Sequence, residues 1–179
     1  MILGLDISTS ITGVTVLDDN GKILHCEALD MRNKNHFPSP FIKADFVKNS
    51  LLDLTMKFRI EYIFVEQSLQ AFRPGFSSAK TLLTLARFNG IVSYICLDVM
   101  GIEPEYVSAS TARKLNGIKI PRGQKAKQVV LKYVLDNEPN FVVEYTKQGN
   151  PKPGSYDRAD SLVIARAGYE LWKEKNSNY

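Results

Sequence analysis

Ile2-Leu3-Gly4-Leu5-Asp6-Ile7-Ser8-Thr9-Ser10-Ile11-Thr12-Gly13-Val14-Thr15-Val16-Leu17 is the stretch on which the fold turns. It reads as a strand from Ile2 to Ile7, a turn through Ser8-Thr9-Ser10 and a second strand from Thr12 to Leu17. Asp18-Asp19-Asn20-Gly21 follows, and Asn-Gly between apolar runs is the strongest short hairpin signal. A third strand from Lys22 to Ala28 then completes an antiparallel meander. Asp6 stands inside an otherwise apolar strand, and a buried carboxylate without a partner is either neutralised or matched by a cation.

Beyond the meander, residues 30–40 are polar and contain proline, which predicts a loop. Phe46, Val47, Leu51, Leu54 and Phe58 fall close to helical spacing in a first helix over 41–59. Glu61 to Glu66 is a fourth strand that ends on an acid and runs into a polar stretch up to Phe76. Ser77 to Met100 predicts a long amphipathic helix, with Gly90 marking a place where a neighbour packs closely. A fifth strand at 105–108 leads to a short helix capped by Ser108 or Ser110 and ending at Leu115. The Gly117–Gly123 loop, a helix over 124–135, an irregular Pro- and Gly-containing segment over 137–155 and a last helix over 156–173 complete the order. It predicts an α/β fold: a five-stranded mixed sheet, its first three strands antiparallel, flanked by helices. The length of 179 residues fits a single domain over 1–173 with a frayed tail at 174–179.

A composition that is 44% apolar and 23% charged excludes disordered and fibrous classes. Cys26 and Cys96 lack the spacing of a zinc site or a disulfide framework. No apolar run approaches the length of about 18 residues that a membrane span needs, and Met1 leads into the first strand without the basic region of a signal peptide. The expectation is a soluble, intracellular protein, cytoplasmic or nucleoid-associated, with no membrane partner. The net charge of +4 hides an uneven distribution. Arg113, Lys114, Lys119, Arg122, Lys125, Lys127 and Lys132 place seven positive charges in twenty residues with no acid among them. The rest of the chain, with 16 basic residues against 19 acidic ones, is at −3. A basic segment on a slightly acidic body is the electrostatic footprint of a phosphate binder.

Four acids sit where chemistry could use them: Asp6 in the first strand, Glu66 at the end of the fourth, and Asp157 and Asp160 at the start of the last helix. Asp157 and Asp160 are three residues apart and share a helix face. If the last helix packs over the first and fourth strands, all four converge. Carboxylates without His or Cys favour magnesium or manganese over zinc.

Ile2 to Gly13, Val65-Glu66-Gln67 and Asp157-Arg158-Ala159-Asp160-Ser161-Leu162 together resemble the three acidic motifs of the RuvC-type Holliday-junction resolvases, in the RNase H-like superfamily. The resemblance spans most of the chain, in order. Its first motif is shared by sugar and acetate kinases of the actin-like fold, which need a second nucleotide-binding half that 179 residues cannot supply. The resemblance implies a crossover-junction endodeoxyribonuclease acting as a homodimer on four-way and other branched DNA. It further implies two magnesium ions, replaceable by manganese, on Asp6, Glu66, Asp157 and Asp160 as catalytic acids. Products would carry 5′-phosphate and 3′-hydroxyl ends. The alternatives are an RNA-processing nuclease of the YqgF branch and a catalytically idle junction-binding module.

Lys125 and Lys127 lead the expected phosphate contacts, beside a flexible Gly123 at a helix N-terminus, with Arg113, Lys114, Lys119 and Arg122 next. In the loop after Glu66, Phe72 is a candidate for stacking on an unpaired base, with Arg73 beside it. Phe76 is expected to pack under the following helix. By resemblance, the 77–100 helix is the candidate dimer surface.

Overall fold

The structure, a computed structural model, describes residues 1–67 and 78–176. Phe72, Arg73 and Phe76 lie outside the described residues. The elements run β1 (Ile2–Asp6), β2 (Ile11–Leu17), β3 (Ile23–Asp30), α1 (Pro40–Thr55), β4 (Tyr62–Glu66), α2 (Ala79–Met100), β5 (Glu105–Val107), α3 (Ala109–Leu115), α4 (Ala126–Asn137) and α5 (Ser155–Asn176).

The sheet has the order β3-β2-β1-β4-β5. β1 to β3 form the expected antiparallel meander, while β4 joins β1 in parallel and β5 joins β4 in parallel. All seven residues of β2 are buried, as expected for an interior strand covered on both faces. At the β2–β3 turn the Asp18 carboxylate accepts from the main-chain N–H groups of Asn20 and Lys22, at 2.9 and 2.7 Å. Gly21 takes the left-handed φ of +78° that the tight turn requires.

Two hydrophobic layers cover the sheet. Leu3, Leu5, Val14, Val16, Ile63 and Val65 face α1 and α2 through Val47, Leu51, Leu54, Phe88, Val92 and Cys96. On the other face Ile2, Leu17, Phe64 and Val107 meet α3, α4 and α5. α5 lies directly over β1 and β2, and its run Ser161–Ala165 is buried at every position. That approach depends on missing side chains. A Cβ on Gly13 would overlap the carbonyl oxygen of Asp157, and one on Gly168 would overlap the Phe64 ring.

The sequence reading needs four amendments. α5 is helical to Asn176, so the tail is ordered three residues beyond the expected end. α1 starts one residue earlier, with Pro40 in its first turn and the Ser39 hydroxyl accepting from Ile42 N–H, and it stops at Thr55. Proline fits there because first-turn N–H groups have no helical partner. Among the described residues, no heavy atom lies within 4 Å of a would-be Cβ on Gly90, so none of them packs against it. Finally, α2 is long and apolar enough to cross a membrane by length and composition. Its sequence is interrupted by Lys80, Arg87 and Asp98, and Phe88, Val92, Ile95 and Cys96 are buried within the α1/α2 layer.

Candidate active site

The parallel pairing of β1 and β4 aligns Leu5 with Val65, so the next residue of each strand, Asp6 and Glu66, ends its strand beside the other. Side chains alternate along a strand. Leu5 and Val65 enter the α1/α2 layer, which turns Asp6 and Glu66 towards the α5 face. The third and fourth acids come from the first turns of α5. Asp157 is brought in by the close passage of its backbone over Gly13, and Asp160 follows on the same face. A cavity of about 260 Å³ is lined by Asp6, Ile7, Ser8, Glu66, Gln67, Leu85, Asn89, Lys127 and Asp157.

The turn after Asp6 is braced. Thr12 Oγ1 accepts from Ser8 N–H at 3.2 Å and donates to the Ser8 carbonyl at 3.0 Å. The Lys43 ammonium, from α1, donates to the Thr9 carbonyl. On the other side of the cleft, Gln67 N–H donates to the Val107 carbonyl at 2.9 Å, and Asn89 Nδ2 donates to the Glu66 carbonyl at 3.2 Å.

Electrostatically the cleft holds more negative charge than its surroundings balance. Burial, and then the neighbouring Glu66, Asp160 and Asp157, push Asp6 well above the usual carboxylate range. Burial followed by Asp160 raises Glu66 to about 7. Asp160 rises to about 6 and Asp157 is also raised, in both cases mainly through burial. Among the described residues, the cation paired with them is Lys127, whose ammonium lies 3.9 Å from Asp157 Oδ1 and 3.7 Å from Asp160 Oδ2. Burial alone would lower this ammonium, but all four acids act on it and hold it above the ordinary lysine value. Half-buried Arg113 on α3 also acts on Glu66 and Asp160, lowering both.

The expected basic residues therefore divide into two groups. Lys127 and Arg113 belong electrostatically to the acid cluster, whereas Lys114 is exposed in the last turn of α3 and Lys119, Arg122 and Lys125 on the segment between α3 and α4. Lys125 is the N-cap position of α4 and makes no side-chain cap bond. Asn89 and Leu85 escaped the sequence reading, since nothing in a helical repeat distinguishes a buried amide that reaches an acid-bearing strand from ordinary core. A polar residue one position before the Gly90 break was the only available cue.

An all-oxygen donor set with raised pKa values is chemically suited to a hard divalent cation. As they stand, no three Asp, Glu, His or Cys side chains among the described residues converge closely enough to hold one. Two of the carboxylates, Asp157 and Asp160, lie within 4 Å of the Lys127 ammonium instead.

No family model matches the sequence and no curated protein matches it. Solved structures do. Thermus thermophilus RuvC in complex with a Holliday junction substrate aligns with a TM-score of 0.67 at 16% identity, covering 97% of this chain and 94% of that one. A second Thermus thermophilus RuvC structure aligns at 0.61 and 20% identity, covering 97% and 96%. The yeast mitochondrial Holliday junction resolvase Ydc2 aligns at 0.57 and 18% identity, covering 99% of this chain and 80% of that chain. Together with the β3-β2-β1-β4-β5 sheet, these alignments show that the chain has the RNase H-like fold of the RuvC resolvases along nearly its whole length.

Proposed function

We propose that this chain is a divalent-metal-dependent endodeoxyribonuclease that resolves four-way and other branched DNA, leaving 5′-phosphate and 3′-hydroxyl ends. The observation that carries the reading is the gathering of Asp6, Glu66, Asp157 and Asp160 around one cleft, from two strand ends and one helix start, beside a basic segment. Capping accounts for Asp157 alone, at a helix N-terminus. It does not account for acids at the ends of two adjacent interior strands. The likeness to junction resolvases adds the substrate class.

Asp6, Glu66, Asp157 and Asp160 would hold two magnesium or manganese ions. Such ions, when bound, supply activation of a water and neutralisation of the departing 3′-oxygen. The chain's own residues do the rest. Thr12 and Lys43 fix the turn behind Asp6. Lys127 and Arg113 offset the acids' repulsion of a phosphate, and Lys114, Lys119, Arg122 and Lys125 hold the flanking strand through its phosphates, which gives affinity without base sequence.

The active form is a homodimer joined through the outer face of α2. Leu83, Tyr94 and Leu97 are 58%, 66% and 45% exposed there, and no described residue lies within 4 Å of a would-be Cβ on Gly90, where a second backbone could approach. A two-fold dimer places one cleft on each of two opposed strands of a two-fold junction.

The test compares a synthetic four-way junction with a duplex of the same sequence, each with magnesium. Cutting confined to the junction, in symmetrical nicks, is expected. Asp6→Asn should reduce cleavage to background while junction binding persists. Equal cutting of both substrates, or none even with manganese, would sink the assignment.

A further inference from the structure

Asn89 is 5% exposed on the buried face of α2, between Phe88 and Val92, where an unbonded amide would cost stability. Its Nδ2 donates to the Glu66 carbonyl at 3.2 Å, and the residue lines the same cavity as Asp6, Glu66, Asp157 and Lys127. Another buried polar residue on this helix, Ser93, is bonded differently. Its hydroxyl accepts from Tyr106 Oη at 2.8 Å, on β5, and not from an acid-bearing residue. Both residues repay their burial with one hydrogen bond, but only that of Asn89 ends on an acid-bearing residue.

The bond matters because Glu66 is the last residue of β4, where the ladder stops restraining the chain. Gln67 N–H, bonded to Val107, holds the chain from the β5 side. Asn89 holds the Glu66 carbonyl from the helix side. With both restraints in place the Cα–Cβ direction of Glu66 is set, and its carboxylate is held beside Asp6 against mutual repulsion.

We propose that Asn89 is a positioning residue that aims the Glu66 carboxylate at a divalent cation, so that α2 tunes the cation affinity of the cleft. The proposal rests on the metal-dependent reading above. Residues that orient metal ligands typically alter metal affinity by about 10- to 100-fold when replaced.

The experiment measures Mn2+ binding to the DNA-free protein by electron paramagnetic resonance, alongside urea unfolding and junction binding in the absence of metal. The proteins are wild type, Asp6→Asn, Asn89→Leu, Asn89→Gln and Ser93→Ala. Asn89→Leu should weaken Mn2+ binding by about 10-fold or more. Asn89→Gln, which keeps a donor, should recover part of that loss, and junction binding without metal should stay within about twofold for the Asn89 and Ser93 variants. Ser93→Ala should lose stability yet bind Mn2+ as wild type does, which separates aiming from mere helix packing. Wild-type affinity in Asn89→Leu and Asn89→Gln, with Asp6→Asn impaired, would overturn the role of Asn89 and leave the metal reading standing. So would a loss in Ser93→Ala equal to that in Asn89→Leu. If Asn89→Leu fails to fold, Asn89→Gln and Ser93→Ala decide: a weaker Mn2+ site only in the former supports the role, and equal affinity overturns it. No Mn2+ binding by wild type would overturn the metal reading, and this role with it.

Discussion

The two faces of the sheet are packed by different means. On the α5 face, backbone meets backbone: Gly13 admits the Asp157 carbonyl and Gly168 admits the Phe64 ring. On the other face α1 and α2 stand off on large side chains such as Leu51, Leu54, Phe88 and Val92, and α2 turns Leu83, Tyr94 and Leu97 outward. Close packing suits a layer that must hold carboxylates in register. A looser layer with an apolar exterior suits one that meets another molecule.

That contrast can be broken most severely at Gly13. Gly13→Ala drives a methyl into the Asp157 carbonyl and should destabilise the fold by about 3 kcal/mol, read by urea unfolding. A neutral result would mean that α5 can lift away at no cost, contrary to a tightly packed layer.

The next effect is on pH. Glu66 and Asp160 rise on folding to about 7 and about 6, so between their unfolded values and these the folded chain binds more protons than the unfolded one. The stability of the metal-free protein should therefore fall as pH rises from about 4 to about 7. Saturating magnesium should flatten the fall, because a ligand of the folded state stabilises it by mass action. Thermal melts at a series of pH values, with and without magnesium, read both. Rising stability over that interval would show that the acids are compensated in the folded state.

On the outer layer, Tyr94→Glu should convert the proposed dimer to monomer in sedimentation with little change in monomer stability, since Tyr94 is mostly exposed. An unchanged sedimentation coefficient would remove α2 as the assembly face. The smallest effect belongs to Gly90→Ala. With nothing near the new methyl, it should stabilise that monomeric variant by about 0.5–1 kcal/mol in urea melts. Gly13 and Gly90 would then differ in sign.

What could be read from the chain was local. Asn20-Gly21 and the alternation around Val14 and Val16 marked the meander, and the acid at Glu66 marked the end of the fourth strand, whereas Asp6 read as interior to a strand that in fact ends on it. Other features depend on distance in space. Lys127 reads in the sequence as a phosphate contact beside Lys125, and only α4 lying beside α5 sets it near Asp157 and Asp160. Gly13 and Gly90 look alike in a sequence, and only the partner element tells a required gap from an open one. The apolarity of α2 fits a span by composition, while its fold use is split between a buried and an exposed face.

The buried polar pair under α5 has a further consequence. Thr15 and Ser161 join hydroxyls at 2.8 Å in the core, and Ser161 also donates to the Arg158 carbonyl at 2.9 Å. Since Ser161–Ala165 is buried all round, apolar contact alone does not tell this helix how far to roll about its axis. A slip of one residue would turn it by about 100°, carry Asp157 and Asp160 out of the cleft and set a side chain where Gly168 now meets the Phe64 ring. The hydroxyl pair has one matching orientation, so it acts as a key for the rotational phase of α5.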